Sequence, residues 1–375
     1  LGPVSLARVF DADRSLDLLT NRGLFGLDGE SQQRIQSLIY DHLKRRPAAA
    51  LRTADPAIDD RRLVLEIAFV LNALHGLRLV DRFGAYVSVE LHTDLADDVA
   101  RTVAYGRRYH RICPERFYVK VPMTPAGLLG ARRLGADGIP VNFTLGFSAR
   151  QNVVAALVAN PACVNVFMGR LNAFVIDNRL GDGRNVGEKA TLATQRALRA
   201  LRAGGRTRRL LIGASMRDGG QVTDLAGVDI YTMPPKVAAA WRAKPPAAVP
   251  TRVDQDPPVA LAPGVRPEEA GLASLWEVPE AFVASAAALA RKADATDADD
   301  VRRHFDLAGF ADVLPAWTAQ DVARATADGK IPVHAAWADR LRSRAVGLDA
   351  LMNLGALRSF VTDQKALDDR IRSKA

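Results

Sequence analysis

Short apolar runs punctuate the chain at 17–21, 86–91, 117–122, 140–145, 164–170, 209–215 and 228–233, and predict strands. Between them, apolar positions recur at helical spacing over 30–44, 59–77, 94–110, 125–134, 149–159 and 186–202. Thr124-Pro125 and Ser148-Ala149 supply helix-start signals, a hydroxyl cap ahead of the first turn. Strands alternating with helices at this spacing imply parallel β/α units. The expected fold class is therefore α/β, a (β/α)₈ barrel, although seven units are one short of closure. The chain begins at Leu1 without a methionine, and 5–14 already reads as a helix leading into 17–21. A first strand is expected upstream of Leu1; the alternative is a degenerate first strand at 8–13.

The pattern changes after Trp241, where 243–271 is rich in proline, alanine and valine without periodicity. Helical spacing returns at 279–292, 298–307, 318–328, 335–344 and 348–374. The expected organisation is a barrel over 1–243, a linker or wrapped loop over 244–271, and a helical C-terminal extension over 272–375. The charge cluster at 298–303 reads as a solvated helix face.

Composition narrows the function classes. With 375 residues, 48 % of them hydrophobic and 25 % charged, the chain reads as an ordinary soluble globular protein. No uninterrupted apolar run approaches the roughly 18 residues of a membrane span, and no leader pattern opens the chain. No membrane partner and a cytoplasmic location are expected. The formal charge of +9 raises nucleic acid, but the arginines are scattered and aromatics make up only 6 %. A phosphorylated small substrate suits a basic protein equally well. Cys113 and Cys163 lack ligand spacing and are expected as reduced thiols. His42, His75, His92, His110, His304 and His334 also lack it, so structural roles and no metal site are expected. Gly181-Asp182-Gly183-Arg184 lacks the context of a phosphate loop and reads as a turn.

The candidate chemistry starts at Lys120, in the otherwise apolar run Phe117-Tyr118-Val119-Lys120-Val121-Pro122. Alone, a mid-strand lysine is more often an edge or snorkelling residue. Placed inside a barrel, an ammonium needs partners or a job, and burial near cations turns lysine amines into nucleophiles. The C-terminal sides of the strand candidates carry Asn21, Glu90, Lys120, Asn142 with Thr144, Asn165 with Phe167 and Arg170, and Ser215 with Arg217. Barrel enzymes place their sites at that end. Alternation puts Asn142 and Thr144 on one face, and Ser88 and Glu90 likewise. The two arginines suit a phosphate, the lysine a ketone, and the carboxylate proton transfer.

At these residues the chain resembles the transaldolase family, in YVKVPMTPAGLLGARRL at 118–134, GIPVNFTLGFSARQ at 138–151, FMGR at 167–170, VGEKATLATQRAL at 186–198 and LLIGASMRDGG at 210–220. The match runs roughly over 5–235. The resemblance implies Lys120 as a Schiff-base lysine and Glu90 as an acid/base acting through water. It implies Asn142 and Thr144 holding substrate hydroxyls and that water, and Arg170, Ser215 and Arg217 gripping a phosphate. Asn21 aligns with the asparagine of the family's Thr-Asn-Pro turn. Glu90 and Phe167 imply transfer over free aldol cleavage, since the related fructose-6-phosphate aldolases carry glutamine and tyrosine there.

Three departures stand out. A first-strand aspartate has no counterpart unless Asp11 or Asp13 supplies it, Arg22 replaces a proline, and Asn165 stands at a usual serine. The last of these would alter a contact to the donor's terminal hydroxyl. The expected function is transfer of a dihydroxyacetone unit between sugar phosphates, with no cofactor. One alternative is a pathway-specific aldolase or transferase on modified or unphosphorylated sugars. Another is a non-catalytic sugar-phosphate-binding protein on a decayed barrel. A homodimer is compatible with the chain, which does not fix its own assembly.

Overall fold

The computed structural model describes residues 51–53, 55–292 and 294–373. It is an α/β fold in which β1 (Val87–Glu90), β2 (Phe117–Pro122), β3 (Val141–Thr144), β4 (Cys163–Phe167), β5 (Leu210–Ala214) and β6 (Ile230–Thr232) follow chain order in one sheet. The sheet is a parallel half-barrel. Registers such as Asn142 opposite Cys163, Phe167 opposite Ala214 and Gly213 opposite Tyr231 bring the C-terminal strand ends to one side. The strand candidate 17–21 and the helix candidate 30–44 lie outside the described residues, and an eight-strand closure is not established.

The chain forms two compact units, one of residues up to Thr93 with Tyr105–Val119 and Val361–Ala375, the other of Asp94–Ala104 with Lys120–Phe360. In the first, helix α1 (Asp60–Phe83) is opened by Asp59, whose carboxylate accepts from the Arg62 N–H, and closed by Gly84 in the left-handed region. By length and composition α1 could cross a membrane, although charged residues interrupt its apolar run. Half of that window is buried inside the protein, as in a core helix. Leu63, Val64, Ile67 and Ala68 pack with Leu51 and Ile371. A Cβ at Gly76 would lie 2.8 Å from the Phe117 ring and 2.9 Å from Val89, so only glycine lets α1 approach the strands this closely.

Glu66 on α1 accepts from both Arg108 guanidinium nitrogens and from the Tyr105 hydroxyl, while Arg108 stacks 4.1 Å over the Phe69 ring. Burial alone would raise the Glu66 carboxyl; the Arg108 and Tyr105 hydrogen bonds outweigh it and hold the group below the usual range. A depressed folded value means the ion pair adds stability above the unfolded value, near 4.5, and loses it as pH falls through the folded one. Glu66→Gln is expected to lower stability near neutrality by about 2 kcal/mol and to flatten the acid limb of the melting curve. Parallel midpoint-versus-pH curves for both proteins would contradict this.

In the second unit, α2 (Val99–Ile112) starts, and α3 (Pro125–Ala136) is capped by Thr124, whose Oγ1 accepts from the Gly127 N–H. Helix α4 (Ala149–Val154), capped by Ser148, continues as one π turn over Ala155–Ala159. Helix α5 (Met168–Asp177) follows β4 directly. The candidate strand 164–170 therefore ends early, and Arg170 stands in the first turn of a helix. Helix α6 (Val186–Ala203) comes next, before α7 (Gly220–Asp224) and α8 (Pro235–Ala243). Cys163 is buried and its thiol is pushed up to about 12, which makes it inert; both cysteines are free.

The Pro/Ala-rich segment is strapped along α6. Arg196 donates to the carbonyls of Val253 and Gln255, Lys189 pairs with Asp256 at 2.8 Å, and Gly181 bridges Leu261. The extension then supplies α9 (Glu280–Arg291), α10 (Ala298–Leu307), α11 (Ala319–Asp328), α12 (Ala338–Arg342) and α13 (Leu348–Arg372). Buried Arg150, beside the cap of α4, reaches Asp312 at 2.8 Å and Asp349 of α13 at 2.7 Å, and Ser148 Oγ donates to the same Asp349.

Candidate active site

The strand ends of the second unit gather most of the candidate residues. Along β2, Phe117, Val119 and Val121 are fully buried while Tyr118, Lys120 and Pro122 are partly exposed, so Lys120 projects from the face opposite the apolar one. Its Nζ lies 5.8 Å from the ring centre of Phe360 on α13, and the Arg170 guanidinium lies 5.7 Å from the same ring. The candidate nucleophile and one candidate anion grip therefore flank a single aromatic side chain.

On β3, Asn142 and Thr144 are both buried. Thr144 Oγ1 has no hydrogen-bond partner among the described residues. A buried hydroxyl left unmatched is unfavourable by about 1–3 kcal/mol, so its presence calls for a water or ligand. Asn165 bonds within the protein. Its Nδ2 donates to Asn142 Oδ1 at 2.7 Å and to the Phe143 carbonyl at 2.9 Å. Both amide protons are thus spent within the protein, and Asn165 orients Asn142. Phe167 packs against Phe147 with ring centres 5.9 Å apart.

The strand-end turns are strained. Leu145 after β3 has φ 65° and Ser215 after β5 has φ 68°, the left-handed region that disfavours side chains by about 1–2 kcal/mol. Leu145 is held by Asn353 of α13, whose Nδ2 donates to its carbonyl at 2.9 Å. Gly169 lets the β5 turn close on α5: a Cβ there would stand 2.0 Å from the Ser215 carbonyl oxygen and 2.8 Å from Arg217 Nε. Ser215 and Arg217 thereby sit at the first turn of α5 with Arg170, where helix N–H groups favour an anion.

Behind this turn lies a group the sequence reading did not single out. Gln221 Oε1 accepts from the Arg217 N–H at 2.6 Å, and Gln221 Nε2 donates to Glu188 Oε1 at 2.7 Å. Asn172 donates to both Glu188 oxygens at 3.1 Å. Glu188 is buried in the first turn of α6, and that burial raises its pKa against these hydrogen bonds. The network fixes the Arg217 backbone. Its only signal in the sequence was a carboxylate in a helix first turn beside a glycine.

Glu90 ends β1 in the first unit and is partly exposed; its carbonyl accepts from Asn72 Nδ2 at 2.7 Å. Asn21, Arg22, Asp11 and Asp13 lie outside the described residues. Among the described residues no group of three or more His, Cys, Asp or Glu side chains could hold a metal ion. His92 instead contacts both Asp368 oxygens at 3.2 Å, and His304 bonds Ser285.

A family model described as transaldolase/fructose-6-phosphate aldolase matches residues 30–263. The chain belongs to this family. A probable transaldolase from Rhodospirillum centenum is 37 % identical over 134 residues, 36 % of this chain and 49 % of that protein. A transaldolase from Xanthomonas oryzae is 28 % identical over 184 residues, 47 % of this chain and 56 % of its own length. A probable transaldolase from Thermus thermophilus is 35 % identical over 164 residues, 43 % of this chain and 66 % of that protein. The chain spans about half the length of the curated relatives it matches first. The transaldolase family match covers β1 to β6 and ends in the strap, before α13, which carries Phe360, Asn353 and Asp349.

Proposed function

We propose that the chain is a Schiff-base transferase that moves a dihydroxyacetone unit from a ketose phosphate to an aldose phosphate. One observation carries the reading: the Lys120 amine and the Arg170 guanidinium both lie within 6 Å of the centre of one ring, and the buried Thr144 hydroxyl has no hydrogen-bond partner among the described residues. Family membership supports it. Lys120 adds to the ketose carbonyl and loses water to form an iminium. A general base removes the proton of the donor's C4 hydroxyl, the role that the family resemblance gives to Glu90 acting through water. The C3–C4 bond breaks, its electron pair neutralises the iminium to an enamine, and an aldose leaves. The enamine then attacks an acceptor aldehyde, and water returns the lysine as a free amine. The iminium is itself the electron sink, so the chemistry asks for no cofactor. Arg170, Ser215 and Arg217 hold the phosphate and turn binding energy into position.

The test is reduction with borohydride in the presence of fructose 6-phosphate, followed by intact mass and peptide mapping. A reduced three-carbon adduct on Lys120 is the expected result. An unmodified lysine with a folded protein overturns the reading in favour of a non-catalytic binding protein.

A further inference from the structure

Phe360 lies on the C-terminal extension, beyond the matched family region, yet its ring is in contact range of both Lys120 and Arg170. Each cation is held within 6 Å of the ring centre, the range in which an aromatic face attracts positive charge. A molecule bridging the amine and the guanidinium must pass along this ring or displace it. The ring is only partly exposed, and its helix is tied down by Asn353 to the β3 turn and by Asp349 to Arg150. It is therefore a fixed wall of the site.

We propose that Phe360 is a specificity-determining residue that keeps water from the lysine-bound intermediate and so favours transfer over release. The inference rests on the Schiff-base reading above. Between departure of the first aldose and arrival of the acceptor, the three-carbon enamine stays on Lys120 Nζ. Loss to water needs two steps: a proton adds to the enamine carbon, regenerating the iminium, and water then adds to its carbon. The C–N bond breaks, the free ketone leaves and the amine is restored. An apolar ring beside Nζ removes the space that this water needs, while an aldehyde anchored through its phosphate at Arg170 and Arg217 still reaches the enamine carbon.

The experiment uses the full chain and compares Phe360→Ala, Phe360→Leu and Phe360→Tyr with wild type. Two readouts are taken: free dihydroxyacetone released per unit transferred to a four-carbon aldose phosphate, and the borohydride adduct on Lys120. Phe360→Ala is expected to keep the adduct and to raise release per transfer about tenfold, with kcat for transfer falling more than KM rises. Leucine, which keeps the bulk, is expected to stay within about twofold of wild type, and tyrosine to fall between. If alanine does not fold, the leucine–tyrosine contrast carries the test. An unchanged ratio with the adduct intact overturns this role and leaves the Schiff-base reading standing. No adduct in the wild-type protein overturns both.

Discussion

Replacing Lys120 by methionine is expected to abolish the borohydride adduct and lower transfer by about 10⁴-fold or more, because the proposed mechanism forms its iminium on this amine. The folded protein should survive the change. Lys120 is only partly buried between apolar neighbours, and an unbranched thioether keeps most of its stem, so stability should move by less than about 1.5 kcal/mol. A variant that still transfers at near-normal rate would assign the chemistry elsewhere. Thr144→Val provides the paired measurement. Its hydroxyl is fully buried and has no partner among the described residues, so removing it should leave stability equal or raise it by about 1 kcal/mol. If that hydroxyl holds the proton-carrying water, the same variant should turn over about 10²-fold more slowly. A more stable, slower enzyme marks a group retained for chemistry. A less stable protein with unchanged turnover would mark an ordinary buried threonine.

The parallel wall was legible because its signals are local. The strand 117–122 coincides with β2, Thr124 and Ser148 cap the helices they precede, and Lys120 is conspicuous against apolar neighbours. Helix α5 was not legible. Its first residues, Met168-Gly169-Arg170, extend an apolar run, and Phe167 before it makes no side-chain capping bond. The left-handed turns at Leu145 and Ser215 were invisible for a related reason: neither residue is the glycine or asparagine that normally announces them. The type and strand position of Asn165 allow a ligand contact. Only the short bond to Asn142 shows where its amide protons go. Phe360, Asn353 and Asp349 lie on a helix whose own pattern names no partner, and their meaning comes from the path of the chain back to the strand ends.

That return path leads to the second large effect, at the clamp between Arg150 and α13. Asp349 is 0 % and Arg150 3 % exposed, and the guanidinium is bound by Asp349 through Nε and Nη2 and by Asp312 through Nη1. Burial opposes the charge on Arg150, but the two carboxylates more than offset it and push the pKa further up, so it stays a cation. Asp349→Asn leaves that cation with a single carboxylate and takes the charged acceptor from Ser148, the cap of α4. The expected loss is about 3–5 kcal/mol, a fall in the melting midpoint of roughly 5–10 °C. Asp339→Asn is the matched control, because Arg342–Asp339 is an exposed pair and should contribute less than about 1 kcal/mol. The clamp should also be felt at the site. Asp349 stands one helical turn before Asn353, which holds the Leu145 carbonyl, and Phe360 is two turns further on. A loosened N-terminal end of α13 should therefore release more free ketone per transfer at temperatures well below the melting midpoint. If Asp349→Asn lowers the midpoint but leaves that ratio at the wild-type value, the clamp stabilises the extension without positioning Phe360, and the two functions of α13 are separate.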